Sequence, residues 1–260
     1  MRNPGVVSRE DVPQIAAALL DRLRTRSPRV HCITNAVAQN FTANVLLAVS
    51  AVPSMTLSAD EIGPFVAGAN ALLVNLGTLD RERRQATAMA VETAARGGLP
   101  WVLDPVFIDR SSPRAAFAGA LIESAPKAIR LNRAEFSALS GSEPAREALA
   151  AYARDNKLVV GLSGAEDMVS DGARLATISN GHSLMAKITA MGCAASALVA
   201  ACLAIEPDAW CATASALVMI GVAGELAAEK AEGPGSFAVA IIDALHNLDG
   251  PALIKHAKVT

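Results

Sequence analysis

Aromatic residues are scarce in this chain of 260 residues, since Phe, Trp and Tyr together make up only 3% of it. Basic residues are not in excess either, because 23 Lys and Arg stand against 25 Asp and Glu and give a net charge of −2. The sequence has no cluster of Lys and Arg interleaved with aromatic side chains, which is the pattern of a nucleic-acid-binding surface. We therefore expect no nucleic-acid partner.

Paired cysteines and long apolar runs are also missing. The chain has four cysteines, namely Cys32, Cys193, Cys202 and Cys211. They form no Cys-x-x-Cys pair, so we expect neither a structural zinc site nor a disulfide framework. Residues 1–29 contain no apolar segment of the signal-peptide type. The apolar stretches 45–53 and 193–205 are too short or too mixed for a membrane span of about 20 residues. These absences predict a cytoplasmic globular protein without a membrane partner.

The common nucleotide-binding motifs are absent as well. The sequence contains neither the Gly-x-x-x-x-Gly-Lys-Ser/Thr loop nor the Gly-x-Gly-x-x-Gly fingerprint of dinucleotide-binding proteins, which disfavours a dehydrogenase. No linker, internal repeat or low-complexity tract interrupts the chain. We therefore predict a single domain over residues 1–260.

Short apolar runs alternate with longer segments of helical period, and hydrophobic residues make up 52% of the chain. This alternation predicts repeated βα units around a parallel sheet, in a three-layer αβα sandwich. The predicted strands are 30–34, 54–57, 71–76, 100–105, 128–131 and 158–162. The predicted helices are 9–25, 41–50, 60–67, 80–96, 113–124, 133–140 and 144–155. A hairpin with an Asp-Gly turn is expected at 168–174, followed by three helices in the last 70 residues.

Polar residues follow the apolar strands at their carboxyl ends, where open parallel sheets bind ligands. They are Asn35, Asn75, Asp104, Asn132 and Ser163. Each one alone could merely cap a helix or begin a turn. Together they predict a row of oxygen ligands, in which Asp104 and Glu135 are candidate ligands of Mg²⁺, usually through water.

Residues 187–197 form a loop of mostly small residues that opens directly into an Ala-rich helix. Free N–H groups at a helix N-terminus bind phosphate oxygens, although this pattern alone is weak evidence. Cys193 lies in the first turn, where the positive end of the helix is expected to favour a thiolate. It is a candidate base or positioning group, and the alternative is a small buried hydrophobe.

Several motifs occur in one order between about residues 28 and 248. They are His31-Cys32-Ile33-Thr34-Asn35, Asn40-Phe41-Thr42-Ala43-Asn44, Pro53-Ser54-Met55, Leu73-Val74-Asn75-Leu76-Gly77-Thr78-Leu79, Leu103-Asp104-Pro105-Val106, Ala128-Ile129-Arg130 with Asn132 and Glu135, Ser163-Gly164, Asp171-Gly172, Gly192-Cys193 and Glu232-Gly233-Pro234-Gly235-Ser236-Phe237. In these motifs the chain resembles the hydroxyethylthiazole kinase family of the ribokinase-like superfamily.

The resemblance implies a ribokinase-like sandwich with a mostly parallel sheet, and a homotrimer. It implies ATP-dependent phosphorylation of the hydroxyethyl group of 4-methyl-5-(2-hydroxyethyl)thiazole in thiamine biosynthesis, with Mg²⁺ and ATP. The implied site residues are Asn35, Met55 and Ala190 for the substrate, Arg130, Ser163 and Gly192 for ATP, Asp104 and Glu135 for the metal, and Cys193 at the catalytic position.

The chain departs from the family pattern in three places. Ala190-Met191 stands where the family has Gly-Thr, Leu131 replaces a glycine, and the bulky segment 107–110 replaces a small, glycine-containing one. Alanine at a glycine position costs about 1 kcal/mol or more where φ is positive. In segment 107–110, Asp109 could repel phosphates and Arg110 could attract them. A kinase for another small alcohol, or a thiazole-binding protein without catalysis, therefore stays open as an alternative.

Overall fold

The structure is a computed structural model that describes residues 7–260. The first six residues of the segment in which no signal peptide is expected lie outside the described residues. Eight strands form one sheet: β1 Arg29–Ile33, β2 Val52–Ser54, β3 Ala71–Asn75, β4 Trp101–Asp104, β5 Ala128–Asn132, β6 Val159–Ser163, β7 Asp167–Ser170 and β8 Leu175–Ile178.

The strand order is β2-β1-β3-β4-β5-β6-β7-β8. The first six strands pair in parallel, and β7 and β8 add to one edge as an antiparallel hairpin. This hairpin is the one predicted from the Asp171-Gly172 turn. The predicted mostly parallel sheet is confirmed.

Eleven helices occur in the described part of the chain, and both faces of the sheet carry some of them. They are α1 Val12–Arg26, α2 Gln39–Ala48, α3 Ile62–Ala67, α4 Arg81–Gly97, α5 Ser112–Ile122, α6 Arg133–Ser140, α7 Arg146–Asn156, α8 Met191–Leu203, α9 Ala209–Ala228, α10 Pro234–Asn247 and α11 Gly250–His256. Short 3₁₀ turns occupy Arg9–Asp11, Ile108–Arg110 and Ser183–Lys187.

The central strands β3 and β4 are buried on both faces. Successive side chains of a strand point to opposite sides of the sheet. In β3, Leu73 joins the core under α1, α2 and α8–α11, whereas Leu72 and Val74 join the core under α3–α7. The sheet therefore lies between two helical layers, which confirms the three-layer sandwich.

Two features of the fold differ from the prediction. The strand expected at 54–57 is β2 at Val52–Ser54, because its pairing with β1 ends where His31 lies opposite Ser54. The last 70 residues contain four helices and not three. Asp249 accepts a hydrogen bond from Ala252 N at 2.8 Å and begins α11, whose first turn contains a proline.

Unlike the shorter apolar stretches 45–53 and 193–205, helix α9 is long and apolar enough to cross a membrane by length and composition alone. However, 83% of its most apolar window is buried inside the protein. It packs against α1, α8 and α10. Helix α9 is therefore accounted for as the central helix of this core. The neighbouring helices α10 and α11 reach this length and apolarity only when they are counted together as one span. The axes of the two helices are bent by 115° at the break between them.

Candidate active site

The carboxyl ends of the parallel strands bring the predicted polar residues to one edge of the sheet. The register places Asn75 beside Asp104 on β3 and β4, and Asn132 beside Ser163 on β5 and β6. Asn35 follows the end of β1 by two residues. The predicted polar residues therefore lie in a row along one edge of the sheet.

Asn35 connects this row to helix α8. Its amide Nδ2 lies 3.3 Å from Asn75 Oδ1 and 3.4 Å from Cys193 Sγ, and can donate to both. Its Oδ1 accepts from the backbone N of Ala38 at 3.0 Å, which fixes the orientation of the amide. A side chain at Gly77 would collide with Asn35, so Gly77 leaves the room that the amide occupies.

Asp104 is a buried carboxyl group at the centre of the row. Its Oδ2 accepts from Asn75 Nδ2 at 2.7 Å and from Ser196 Oγ at 2.9 Å. Burial raises its pKa above the ordinary range, although the charge of Arg130 and these two hydrogen bonds act in the opposite direction. The bond from Ser196 ties the carboxyl group to the first turns of α8.

Glu135 is the second buried carboxyl group of the row. It belongs to the capping box of α6, in which its Oε2 accepts from Asn132 N at 2.8 Å. Its Oε1 accepts from the backbone N of Phe107 at 3.0 Å. Burial raises its pKa, and the negative charge of Asp104 raises it further.

Two buried carboxyl groups that repel each other would be stabilised by a cation between or beside them. The described residues contain no group of three or more His, Cys, Asp or Glu that could hold a metal ion. Mg²⁺ does not need such a group, because it keeps several waters and takes one or two carboxylates together with phosphate oxygens. The donor set of Asp104 and Glu135 therefore fits Mg²⁺ that arrives with a nucleotide.

Helix α8 begins without a capping side chain. Its N-cap residue, Ala190, has φ 70° and ψ 0°, which is the left-handed conformation that favours glycine. The first N–H groups of the helix, from Met191 to Cys193, therefore have no partner within the helix and lie at its positive end. Such a helix start can bind a phosphate group.

Met191, which stands at a threonine position of the family pattern, is only 8% exposed and packs in the core on the α8 face of the sheet. Leu131, which replaces a glycine of the family pattern, is fully buried in the core on the other face. Both departures therefore place their side chains in hydrophobic cores.

Arg130 connects the helix start to the end of β6. Its Nε donates to Ser163 Oγ at 3.0 Å. A Cβ atom at Gly192 would overlap Arg130 Nη1, so the guanidinium group lies directly against the backbone of α8. The structure thus brings together the three residues that the resemblance assigns to ATP.

A further carboxyl group, Asp167, lies beside this cluster and was not singled out from the sequence. Its Oδ1 accepts from Gly164 N at 3.0 Å and holds the turn after β6. Burial raises its pKa to about 6, and its hydrogen bond from Gly164 and the charge of Arg130 oppose that rise. Asp167 therefore supports the turn that carries Ser163.

Cys193 is 9% exposed and lies between Asn35 and the helix start. The expectation that the helix end favours a thiolate is wrong for this environment. Burial, followed by the negative charge of Asp104, raises the pKa of the thiol to about 11. Cys193 is therefore a neutral thiol at pH 7.

The segment after β4 has an unusual backbone at Phe107, where φ is 58°. The Phe107 ring is 51% exposed, and the Arg110 guanidinium carbon lies 5.2 Å from its centroid. Arg110 Nε also lies 3.5 Å from Asp109 Oδ2. The proximity of Arg110 reduces the phosphate repulsion expected from Asp109.

Ser196 and His31 also belong to the surroundings of the site, and sequence reasoning gave neither of them a role. Ser196 follows Gly192 by four residues, so helical spacing could have placed it on the same face of α8. His31 belongs to a quoted motif, but nothing in its neighbours along the chain reveals what its ring contacts. Met55 lies just beyond β2 and is half-buried against the core.

The matching family model is described as the hydroxyethylthiazole kinase family and covers residues 20–250. A protein of Agrobacterium fabrum named "Probable hydroxyethylthiazole kinase" is 45% identical over 244 residues, which is 94% of each chain. A hydroxyethylthiazole kinase of Cronobacter sakazakii is 42% identical over 89% of this chain and 92% of its own length.

Solved structures agree with these relatives. The hydroxyethylthiazole kinase protein of Pyrococcus horikoshii superposes with a TM-score of 0.92 at 37% identity, over 95% of this chain and 98% of its own. A ribokinase-like superfamily protein of Enterococcus faecalis reaches 0.65 at 13% identity, over 96% of this chain and 93% of its own, and shows the fold alone.

Proposed function

Since the chain belongs to the hydroxyethylthiazole kinase family, we infer that it transfers the terminal phosphoryl group of ATP to the hydroxyl of 4-methyl-5-(2-hydroxyethyl)thiazole in thiamine biosynthesis. It is a kinase with ATP as cosubstrate. The observation that carries the assignment is the uncapped start of α8, with Cys193, Arg130 and the Asp104 network gathered around it.

The nucleotide contacts are proposed at Arg130, Ser163 and Gly192. The free N–H groups at the start of α8 supply donors for phosphate oxygens. The guanidinium group of Arg130 lies against the same backbone and adds a fixed positive charge. Charge stabilisation of this kind is the main requirement of phosphoryl transfer, since little covalent chemistry is left to the protein.

Asp104 and Glu135 are proposed to hold Mg²⁺. When bound, the ion would neutralise charge on the phosphate oxygens. Asn75 and Ser196 hold one oxygen of Asp104, and backbone N–H groups hold both oxygens of Glu135. The two carboxyl groups are thereby fixed in orientation before any ligand arrives.

The thiazole alcohol is proposed to bind near Asn35, Met55 and Ala190, with its hydroxyl beside Cys193. Because the thiol of Cys193 is neutral at pH 7, we assign it the task of orienting the hydroxyl and not that of removing its proton. A strong base is not required when the transition state is loose and mainly needs positioning and charge stabilisation.

A phosphoryl-transfer assay tests this assignment directly. Purified protein with Mg-ATP should phosphorylate the thiazole alcohol faster than other small alcohols in a panel. Faster turnover of another alcohol would replace the substrate. Calorimetry with Mg-ATP and with the thiazole in separate titrations would identify a binding protein without catalysis, because only the thiazole would then bind.

We also propose a cytoplasmic homotrimer whose protomer is one domain over residues 1–260. Three apolar residues between positions 37 and 52 are strongly exposed in the single chain: Val37 at 63%, Leu47 at 56% and Val52 at 46%. A contiguous exposed apolar patch is typical of a protein interface. Light scattering on the eluting protein should give three times the chain mass of 26.7 kDa.

A further inference from the structure

We propose that His31 is a positioning residue for the thiazole site, because its imidazole ring holds the residues on both sides of Met55. This inference rests on the proposed function, in which Met55 contacts the substrate. His31 touches no proposed substrate atom itself. It would act through the backbone segment that carries Met55.

The geometry of the ring carries the argument. His31 Nδ1 lies 2.8 Å from Ser54 Oγ, and its Nε2 lies 3.2 Å from the carbonyl oxygen of Thr56. Ser54 is the residue before Met55 and Thr56 is the residue after it. One rigid ring on β1 therefore bridges the two neighbours of the proposed substrate contact.

The segment needs such a support because the sheet does not supply it. Strand β2 has only three residues at the edge of the sheet, and its pairing with β1 ends at the His31 and Ser54 pair. Met55 and Thr56 lie beyond that end. The Oγ1 of Thr56 donates to Glu61 and accepts from Ser58 N at 3.3 Å, but neither contact reaches β1.

The chemical roles of the two ring nitrogens follow from their partners. A carbonyl oxygen only accepts, so Nε2 must carry a proton and donate to Thr56. In the neutral ring, Nδ1 then accepts from the hydroxyl of Ser54. His31 is fully buried, and burial lowers its pKa, which agrees with a neutral ring. The ring of Phe65, with centroids 6.0 Å apart, covers it further.

A pair of variants of similar length separates a positioning role from a general structural one. His31→Gln keeps a side-chain N–H that can reach the Thr56 carbonyl, whereas His31→Met fills similar space without a donor. Steady-state kinetics would give kcat and the KM values for the thiazole and for ATP. Hydrogen exchange followed by mass spectrometry would report on the backbone of residues 52–60.

In His31→Met we expect the KM for the thiazole to rise about tenfold, since the loss of a buried hydrogen-bond donor has an effect of this size. The KM for ATP should stay within about twofold, residues 52–60 should exchange faster, and His31→Gln should lie closer to the wild type on every measure. An unchanged thiazole KM, or an equal loss in both KM values, would overturn the proposal. So would a His31→Gln protein that behaves like His31→Met.

Two controls keep the test decisive. If His31→Met does not fold, Ser54→Ala removes the partner of Nδ1 without changing the buried ring, and it should raise the thiazole KM several-fold. An unchanged KM would then count against the proposal. If the wild type does not phosphorylate the thiazole, the proposed function fails by itself. The exchange measurement still decides whether His31 holds the segment.

Discussion

The substitution Ala190→Gly tests whether the start of α8 is strained by the residue that occupies it. Ala190 has φ 70°, and an L-residue in the left-handed region is disfavoured by about 1–2 kcal/mol. The substitution removes this strain. It also makes the unfolded chain more flexible, which costs about 0.4–1 kcal/mol.

The difference between these two effects predicts a net gain of about 0.5–1 kcal/mol in the free energy of unfolding. For a chain of this length, such a gain corresponds to a rise of about 1–4 °C in the melting temperature. Differential scanning calorimetry at fixed protein concentration is suited to a shift of this size. Denaturation in urea would measure the free energy independently.

A matched control exists in the same chain. Ala125 has φ 56° and lies in an exposed turn after α5, away from the proposed site. Ala125→Gly should therefore raise stability by a similar amount and leave the kinetics unchanged. Ala190→Gly should additionally lower the KM for the thiazole or the KM for ATP, because the substitution removes a Cβ beside the free N–H groups at the start of α8.

Two results would refute this reasoning. If neither variant melts at a higher temperature than the wild type, the left-handed alanines are not strained. If only Ala125→Gly is more stable, the structure around Ala190 must depend on the methyl group. In that case the alanine at this position is a packing residue and not a source of strain.

Two further predictions concern the site, and a third concerns the ion pair between Arg174, in the turn between β7 and β8, and Asp208 at the start of α9. Gly192→Ala should raise the KM for ATP at least tenfold, because a Cβ at this position overlaps Arg130. The KM for the thiazole should change less than twofold. Equal changes of the two KM values in steady-state kinetics would argue against a role of Gly192 in nucleotide binding. Cys193→Ala should lower kcat more than it raises KM, and unchanged turnover would remove the thiol from the mechanism. Arg174→Lys should cost about 1 kcal/mol in urea unfolding, because the two guanidinium bonds to Asp208, at 2.7 and 2.9 Å, cannot both be replaced. Burial alone would raise the pKa of Asp208, but its hydrogen bonds hold that pKa below the ordinary value. The stability lost in Arg174→Lys should therefore shrink as the pH falls below about 4 and the carboxylate is protonated. A loss that is independent of pH would contradict the ion-pair explanation.

The sequence pattern predicted most strands and helices because a buried strand is a short apolar run, whereas apolar residues in a helix recur at the helical period. Its errors fall where local pattern is weak. Strand β2 lies at the edge of the sheet and contains a proline. Its pairing with its single neighbour, β1, sets where it ends. The break between α10 and α11 depends on a single capping residue, Asp249.

Residue types at the site were predictable from the strand ends, but their contacts were not. Asn35 and Cys193 are 158 positions apart, and Ser196 and Asp104 are 92 apart. Only the register of the sheet and the rotation of α8 bring these pairs together. The prediction of a thiolate at Cys193 was wrong for the same reason. The position of Cys193 in the helix can be read from the local sequence, whereas its burial and its distance to Asp104 are properties of the fold.

The departures from the family pattern fall into two physical kinds. Leu131 and Met191 lie in the cores, where extra volume affects packing. Ala190 and Phe107 instead keep a positive φ, at 70° and 58°, although each carries a side chain.

A strained conformation persists only when the surrounding structure determines it. At Phe107 the reason is visible, because the backbone N–H in this conformation donates to Glu135 at 3.0 Å. At Ala190 the same conformation begins α8, and the methyl side chain offers no acceptor for the first N–H groups of the helix. Both positions therefore adopt, without glycine, a backbone conformation that favours glycine, and the chain tolerates the strain.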